Sequence, residues 1–197
     1  MEQFEQLVTL MEKNQIAALK KRGIYVSTDL YVSRVPGRGE IPEFPDRVIA
    51  YGEYKGLFWI MDSVFENWKE YCRAFLNHVN PYTGLALKDD PVLISLNIIN
   101  EGNIDKAANA SPLVKERYRK AFLEWLAANK LQEPEQRSEQ QRLFSAFLLE
   151  TYRRRSRQMV EFIREQGVNC ILADSNMLTG PMLSVMRSEY DFVDNHV

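Results

Sequence analysis

Polar side chains follow each of four apolar segments of the sequence, and one pair has the character of an acid–base site. The second segment runs through 92–99 and leads directly into Asn100 and Glu101. A carboxyl group at the mouth of an apolar site loses hydration, which raises its pKa and lets it hold a proton near neutral pH. A general acid requires this, and the neighbouring amide can donate to a substrate hydroxyl. The same two residues could instead cap the strand and begin a loop.

The other candidates share one feature, a position just after a predicted strand. They are Asp29, Tyr31 and Arg34 after the first strand, Asp174, Ser175 and Asn176 after the third, and Asp194, Asn195 and His196 after the fourth. The carboxyl ends of parallel strands lie at one end of a sheet, so we expect these groups to line one cleft. Loops are polar in any protein, however, and a single histidine such as His196 could equally be structural.

Three aromatic residues near the start of the second predicted helix, Tyr54, Phe58 and Trp59, follow a loop on the same side of the sheet. Rings at this position could stack on a sugar, and Trp59 is the candidate among them. Packing in the core or in the loop is an alternative of at least equal weight. His78 precedes an Asn-Pro turn and is predicted to lie at the carboxyl end of that helix.

The elements that would position these groups alternate between helix and strand. Apolar spacing predicts helices over 2–22, 61–79, 112–129 and 140–166, and strands that cover 24–29, 92–99 and 168–173 and begin again at 192. The nearly continuous apolar character of 92–99 is typical of a strand covered on both faces. Helix–strand alternation of this kind indicates parallel strands with right-handed crossovers.

Three local features refine this order. Gly23 suits the C-cap of the first helix, and the Pro- and Gly-rich stretch 33–45 must be a loop. The segment 103–140 is interpreted as a helical insertion after the second strand. A short helix over 181–188 is predicted between the third and fourth strands.

Two α/β architectures fit this order, a doubly wound open sheet and a piece of an eight-fold barrel. Gly37-Arg38-Gly39 lies in a Pro-rich loop and leads into no helix, so the phosphate-binding loop of nucleotide-binding folds is weakly indicated at best. The pattern therefore favours a partial (β/α)8 TIM barrel, with 1–197 as a single domain.

Composition excludes several function classes. The 197 residues are 45% hydrophobic and 11% aromatic, as in folded proteins, and 25 Lys+Arg against 27 Asp+Glu give a net charge of −2. No basic stripe favours nucleic acid as a partner. No apolar run approaches the ~20 residues that span a bilayer, and the first residues lack the pattern of a signal peptide, so no localisation is predicted.

Two further features receive structural interpretations. The arginines at 153, 154, 155 and 157 fall within a helical pattern and are predicted to form a solvated helix face. Cys72 and Cys170 lie far apart in apolar segments, so we expect buried free thiols, with a single disulfide as the alternative.

One block of the sequence resembles a known family. His-Val-Asn-Pro-Tyr-Thr-Gly at 78–84, then Asp89-Asp90-Pro91, then a hydrophobic strand that ends in Asn100-Glu101, is similar to the fourth βα step of clan A glycoside hydrolases. The cellulase and mannanase-like group around family 5 is the nearest in pattern. The resemblance implies that the chain covers about strands three to six of a barrel.

The resemblance also implies roles for individual residues. Glu101 corresponds to the catalytic acid/base and Asn100 to a residue that binds a sugar hydroxyl, while His196 matches the first position of a His-x-Tyr pattern in the donor subsite. The nucleophile of such enzymes is a second Glu after barrel strand seven, which this sequence does not include. No metal or organic cofactor is implied, and the substrate is a β-linked poly- or oligosaccharide.

Two alternatives remain open. The first is a non-catalytic half-barrel that holds carbohydrate without cleaving it. The second is a structural or interaction role, because open sheet edges and an exposed apolar face favour pairing with another copy of the chain.

Overall fold

A parallel three-stranded sheet organises the protein. The computed structural model describes residues 15–175 and 185–194. Its strands are β1 (Val26–Asp29), β2 (Leu93–Asn97) and β3 (Ile171–Ala173), which lie side by side in chain order. The predicted α/β class with parallel strands is confirmed. Within the described ranges the strands do not close into a barrel.

Helices make the connections between the strands. Helix α1 is Ala17–Lys21 and precedes β1, while α2 (Tyr51–Leu57), α3 (Asp62–Asn77) and a 3-10 turn at Leu87–Asp89 join β1 to β2. The connection from β2 to β3 contains α4 (Ile104–Ala107), α5 (Pro112–Ala128) and α6 (Arg137–Glu165). Parallel strands require such crossover connections because consecutive strands must start from the same end of the sheet.

Local sequence signals fix several helix ends. The Ile24 N–H donates to the Leu19 carbonyl and the Gly23 N–H to the Lys20 carbonyl, with Gly23 at φ 69°, which is a Schellman cap as the glycine predicted. Helix α5 begins with Ser111, whose side chain accepts from the Val114 N–H, followed by proline in the first turn. The predicted helix over 112–129 is thereby confirmed.

Helix α3 has a strongly one-sided apolar face that packs into the core. Its buried positions include Val64, Phe65, Trp68, Cys72 and Leu76, spaced by three and four residues. The helix ends at Asn77, directly before His78, as predicted. Cys72 is a buried free thiol and Cys170 is a half-buried one, and burial raises the pKa of both.

The structure differs from the predicted elements in three places. Helix α2 is a separate helix that was not predicted, and residues 192–194 form no strand, although the Asp191 N–H donates to the Leu172 carbonyl. The expectation that β2 is covered on both faces is wrong at Ile94, which is 47% exposed. Of the helices predicted over 2–22 and 181–188, residues 2–14 and 181–184 lie outside the described residues.

The arginine run on α6 is not a uniformly solvated face. Arg155 is buried, with its guanidinium 4.2 Å from the centre of the Phe65 ring and its Nε–H donating to the Trp59 carbonyl. Its Nη2 lies 2.8 Å from the Asp62 carboxylate at the start of α3. The prediction was wrong at this position because Arg155 faces the first turn of α3, a contact between the two helices that continues at Phe162 and Trp68, whose ring centres are 5.9 Å apart. Among the helices of the described residues, none has the length and apolar character that a membrane span requires.

Candidate active site at the carboxyl ends of the strands

The carboxyl ends of the three strands remain hydrogen-bonded beyond the regular sheet. The register places Asp29, Asn97 and Ala173 in one row. Past this row, the Asn100 N–H donates to the Tyr31 carbonyl over 2.9 Å, and backbone bonds from residues 98 and 99 reach the start of the loop after β3. The polar residues after β1, β2 and β3 therefore follow strand ends that lie at one end of the sheet.

Glu101 lies at this end in an uncommon backbone conformation. Its φ of 52° is in the left-handed region, which only two described residues other than glycine adopt. A side chain in this region costs conformational energy that the surrounding structure must supply, and such positions concentrate at functional sites. The Glu101 carboxylate is exposed to solvent, so the hydration that it was predicted to lose is retained in the structure of the described residues.

The residue before Glu101 is held by a lysine of α2. The Lys55 Nζ donates to the Asn100 carbonyl and to the Tyr51 hydroxyl, the latter over 3.2 Å, and lies 4.6 Å from the centre of the Tyr51 ring. Lys55 is only 5% exposed, which is unusual for a lysine. Its hydrogen bond fixes the peptide that leads into Glu101.

The residue after Glu101 is held by β3. The Gly102 N–H donates to the Ser175 Oγ over 2.9 Å. A Cβ on Gly102 would lie 2.7 Å from the Ile99 Cγ2, so only glycine fits without displacing that side chain. The segment 100–102 is thus tied to both neighbouring strand ends.

A buried polar cluster supports Ser175 in turn. The Arg187 Nη2 donates to the Ser175 carbonyl over 3.1 Å, and the Arg187 Nε lies 3.3 Å from the Asp174 carboxylate. The Tyr152 hydroxyl of α6 donates to the other Asp174 oxygen. Burial raises the pKa of Asp174, while the Tyr152 hydrogen bond and the Arg187 charge act in the opposite direction. This cluster joins α6 to the end of β3.

Asn97 brings an unsatisfied acceptor to the same end of the sheet. Its Nδ2 donates to the Asp194 carboxylate over 2.8 Å, whereas its buried Oδ1 has no hydrogen-bond partner within the described ranges. Asp29, its partner in the row, is half-buried. A buried amide oxygen without a donor costs free energy, so this atom is suited to accept from a bound hydroxyl or water.

Tyr31 and Arg34 belong to a structural network and not to an open cleft. Tyr31 is buried and donates to the Arg34 carbonyl over 2.6 Å, with its ring 5.2 Å from that of Tyr54. The guanidinium of Arg34 donates to Asn67 over 2.9 Å and to Glu40. These bonds attach the loop after β1 to α2 and α3, so the prediction that both side chains bind substrate is corrected.

Trp59 also lies in the core. Its ring is stacked at 4.9 Å on Tyr152 and is 4.6 Å from Phe58, and it is almost fully buried. A ring in this position cannot stack on a sugar, and the prediction of a substrate-binding role is corrected. Trp59 belongs to the apolar segment that follows α2, and this segment packs into the core.

The predicted site is therefore partly assembled. Glu101, Asn100 and Asp29 lie at the carboxyl ends of the strands, whereas Asn176 and His196 are outside the described residues. Sequence reasoning missed Lys55, because nothing in an isolated lysine on a short helix indicates burial. No group of three His, Cys, Asp or Glu in the described part of the chain could hold a metal ion. No protein-family model and no curated protein matches this chain.

Proposed function

We propose that this chain is part of a retaining glycoside hydrolase with a (β/α)8 barrel, in which Glu101 is the catalytic acid/base. The observation that carries the proposal is the placement of Glu101. It follows the central strand, adopts φ 52°, and its two neighbours are hydrogen-bonded to Lys55 and Ser175. Catalytic groups need such support because small displacements lower rates steeply.

The sheet supports the barrel part of the proposal. Its parallel strands lie in chain order, as consecutive steps of a barrel do, and the polar residues gather at the carboxyl ends where barrel enzymes hold their active sites. A doubly wound sheet reverses its strand order at a switch point, and β1 to β3 contain no such reversal.

In the proposed mechanism, Glu101 first gives its proton to the glycosidic oxygen as the bond to the anomeric carbon breaks. A second carboxylate attacks that carbon and forms a glycosyl ester. Glu101, now ionised, removes a proton from water, whose oxygen displaces the ester and releases the sugar with retained configuration. The Asn100 amide would bind a sugar hydroxyl beside the cleaved bond.

The second carboxylate must lie ~5–5.5 Å from Glu101 for a retaining mechanism. We infer that a barrel strand beyond this sequence supplies it. The 197-residue chain should therefore hydrolyse aryl glycosides negligibly, and a chain extended by the remaining strands should be active. Glu101 is exposed in the 197-residue chain, which fits this proposal. The remaining strands of the barrel would end on the same side as Glu101 and place their side chains beside it.

Substitution of Glu101 in the extended enzyme tests the proposal. Glu101→Gln should reduce turnover steeply for substrates with poor leaving groups and much less for dinitrophenyl glycosides, whose leaving group needs no proton. Azide should then restore turnover of the activated substrate as a β-glycosyl azide, since azide attacks without a general base. Glu165→Gln, an exposed substitution at the far end of α6, is the matched control.

Unchanged turnover of poor substrates by Glu101→Gln would remove this residue from the mechanism. The buried Asn97 Oδ1, which has no hydrogen-bond partner within the described ranges, favours a second candidate, a carbohydrate-binding half-barrel without catalysis. Titration calorimetry separates the two functions. Oligosaccharide binding by the extended chain with no turnover of any glycoside would select the binding module.

A further inference from the structure

A cavity that Glu101 does not line lies between α5 and α6. Its volume is about 380 Å³, which is within the usual range for small-molecule sites. Residues of both helices line it, together with the end of the α4 region. Nothing in the proposed hydrolase mechanism uses this cavity.

Aromatic rings form the apolar part of the cavity. Tyr118 and Phe122 are buried members of the core, and Phe144 is partly buried. The Tyr118 hydroxyl donates to the Gly56 carbonyl over 2.9 Å, and the Phe122 and Phe144 rings meet edge to face at 5.3 Å. These contacts fix the rings, so a ligand would meet a preformed apolar surface.

Three cations line the same cavity, and no carboxylate does. Arg119 is already paired, with its Nη2 2.6 Å from Glu133, which also accepts from Gln140 over 2.8 Å. Lys115 and Arg137 are exposed, and within the described residues neither has an ion pair. The cavity therefore combines fixed rings with two cations that make no ion pair within the described part of the chain.

We propose that this cavity binds a small organic anion, a carboxylate carried on a flat apolar ring system. The ring would pack on the partly buried Phe144, and the carboxylate would accept hydrogen bonds from Arg137 and Lys115. Guanidinium groups bind carboxylates through two parallel hydrogen bonds, which gives the anion a defined orientation. A simple anion would leave the rings unused, and a neutral ring would leave both cations unpaired.

Titration calorimetry of the 197-residue chain with 2-naphthoate tests the proposal. We expect saturable one-site binding that weakens with added salt. Lys115→Gln and Arg137→Gln should each weaken it by up to about fivefold, the upper range for an exposed ion pair. Lys120→Gln on α5 and Arg154→Gln on α6 are matched controls, because both are exposed cations outside the cavity, and they should leave affinity unchanged.

Two further ligands define the outcomes that would overturn the proposal. Equal binding of 2-naphthamide would show that the cavity recognises only apolar rings, and equal binding of acetate would show only general attraction to positive charge. Equal loss in the control variants would give the second conclusion as well. None of these results depends on Glu101, so they neither support nor contradict the glycosidase proposal.

Discussion

The Ser175 hydroxyl oxygen accepts a hydrogen bond of 2.9 Å from the backbone N–H of Gly102, the residue after Glu101. This bond connects the loop after β2 to the loop after β3, although the two bonded residues are 73 positions apart in the sequence. The Arg187 guanidinium donates a hydrogen bond to the Ser175 carbonyl and forms an ion pair with the Asp174 carboxylate. The backbone around Glu101 is therefore coupled to a polar cluster that is largely buried.

The left-handed backbone at Glu101 should make glycine more stable there. Glu101→Gly removes the Cβ that disfavours φ 52°, so we expect the free energy of unfolding to rise by about 0.5–1 kcal/mol. Urea unfolding of the 197-residue chain measures this. In the extended enzyme the same change should sharply lower turnover of substrates with poor leaving groups, because it removes the proposed proton donor.

Two comparisons bracket that effect. Lys130, at φ 56° after α5, is the other described non-glycine residue in this region, and Lys130→Gly should stabilise similarly. Lys120→Gly, within α5, should instead destabilise by about 1 kcal/mol, as glycine does in any helix interior. If Glu101→Gly behaved like Lys120→Gly, the backbone strain at Glu101 would be disproved.

Elements with strong local signals could be predicted from the sequence. The face of α3, the Schellman cap at Gly23 and the limits of α5 follow from apolar spacing and capping chemistry. Helix α2 could not be predicted in this way, because its seven residues are too few to show a helical period and include two glycines, which favour turns. It is stabilised instead by tertiary packing, with Gly56 in close contact with α4 and α5.

The candidate site was predictable only in outline. Position after a strand identified Glu101 and Asn100, since parallel strands end together. The burial of Tyr31, Trp59 and Arg155 was not predictable, because the sequence gives no direct information on which helix covers a given side chain. Amphipathic residues such as arginine and tyrosine fit either a surface or a core.

The contact of α2 with α4 and α5 should make Gly56 irreplaceable. A Cβ at this position would lie 2.6 Å from the Ala107 carbonyl oxygen and 2.8 Å from the Val114 side chain. Since the first of these is backbone, we expect Gly56→Ala to lower the free energy of unfolding by about 1–3 kcal/mol.

Gly52, in the same helix, is the control for Gly56. A Cβ there meets only the Ala110 side chain at 3.9 Å, an ordinary contact. Gly52→Ala should therefore stabilise the protein by about 0.5–1 kcal/mol through helix propensity. Similar effects of both substitutions in urea unfolding would contradict the predicted close approach of the helices.

Arg155 should contribute to stability through packing more than through its ion pair. Its side chain is 2% exposed, whereas that of its partner Asp62 is 91% exposed. Arg155→Ala would leave a cavity beside Phe65 and the Trp59 carbonyl without a donor. We expect a loss of about 2–4 kcal/mol, measured by urea unfolding.

The neighbouring arginine distinguishes this from a general effect of charge on α6. Arg154 is exposed, so Arg154→Ala should change stability by less than about 0.5 kcal/mol. Arg155→Met restores much of the apolar volume and should recover part of the loss. A large effect of Arg154→Ala, or none of Arg155→Ala, would show that α6 is packed differently.

The Tyr152 hydroxyl should stabilise the protein in a pH-dependent manner, because it donates to the buried Asp174 carboxylate. Burial raises the pKa of Asp174, so the contribution of this carboxyl to stability falls as the pH rises through that raised pKa. Tyr152→Phe removes a donor and raises the pKa further. The variant should therefore lose about 2 kcal/mol at neutral pH and about half as much near pH 3, where Asp174 is protonated in both folded and unfolded chains.

Tyr118→Phe removes a hydroxyl that donates to the neutral Gly56 carbonyl, and its loss of about 1 kcal/mol should not vary with pH. Parallel pH profiles of the two variants in urea unfolding would rule out an ionised Asp174 as the acceptor.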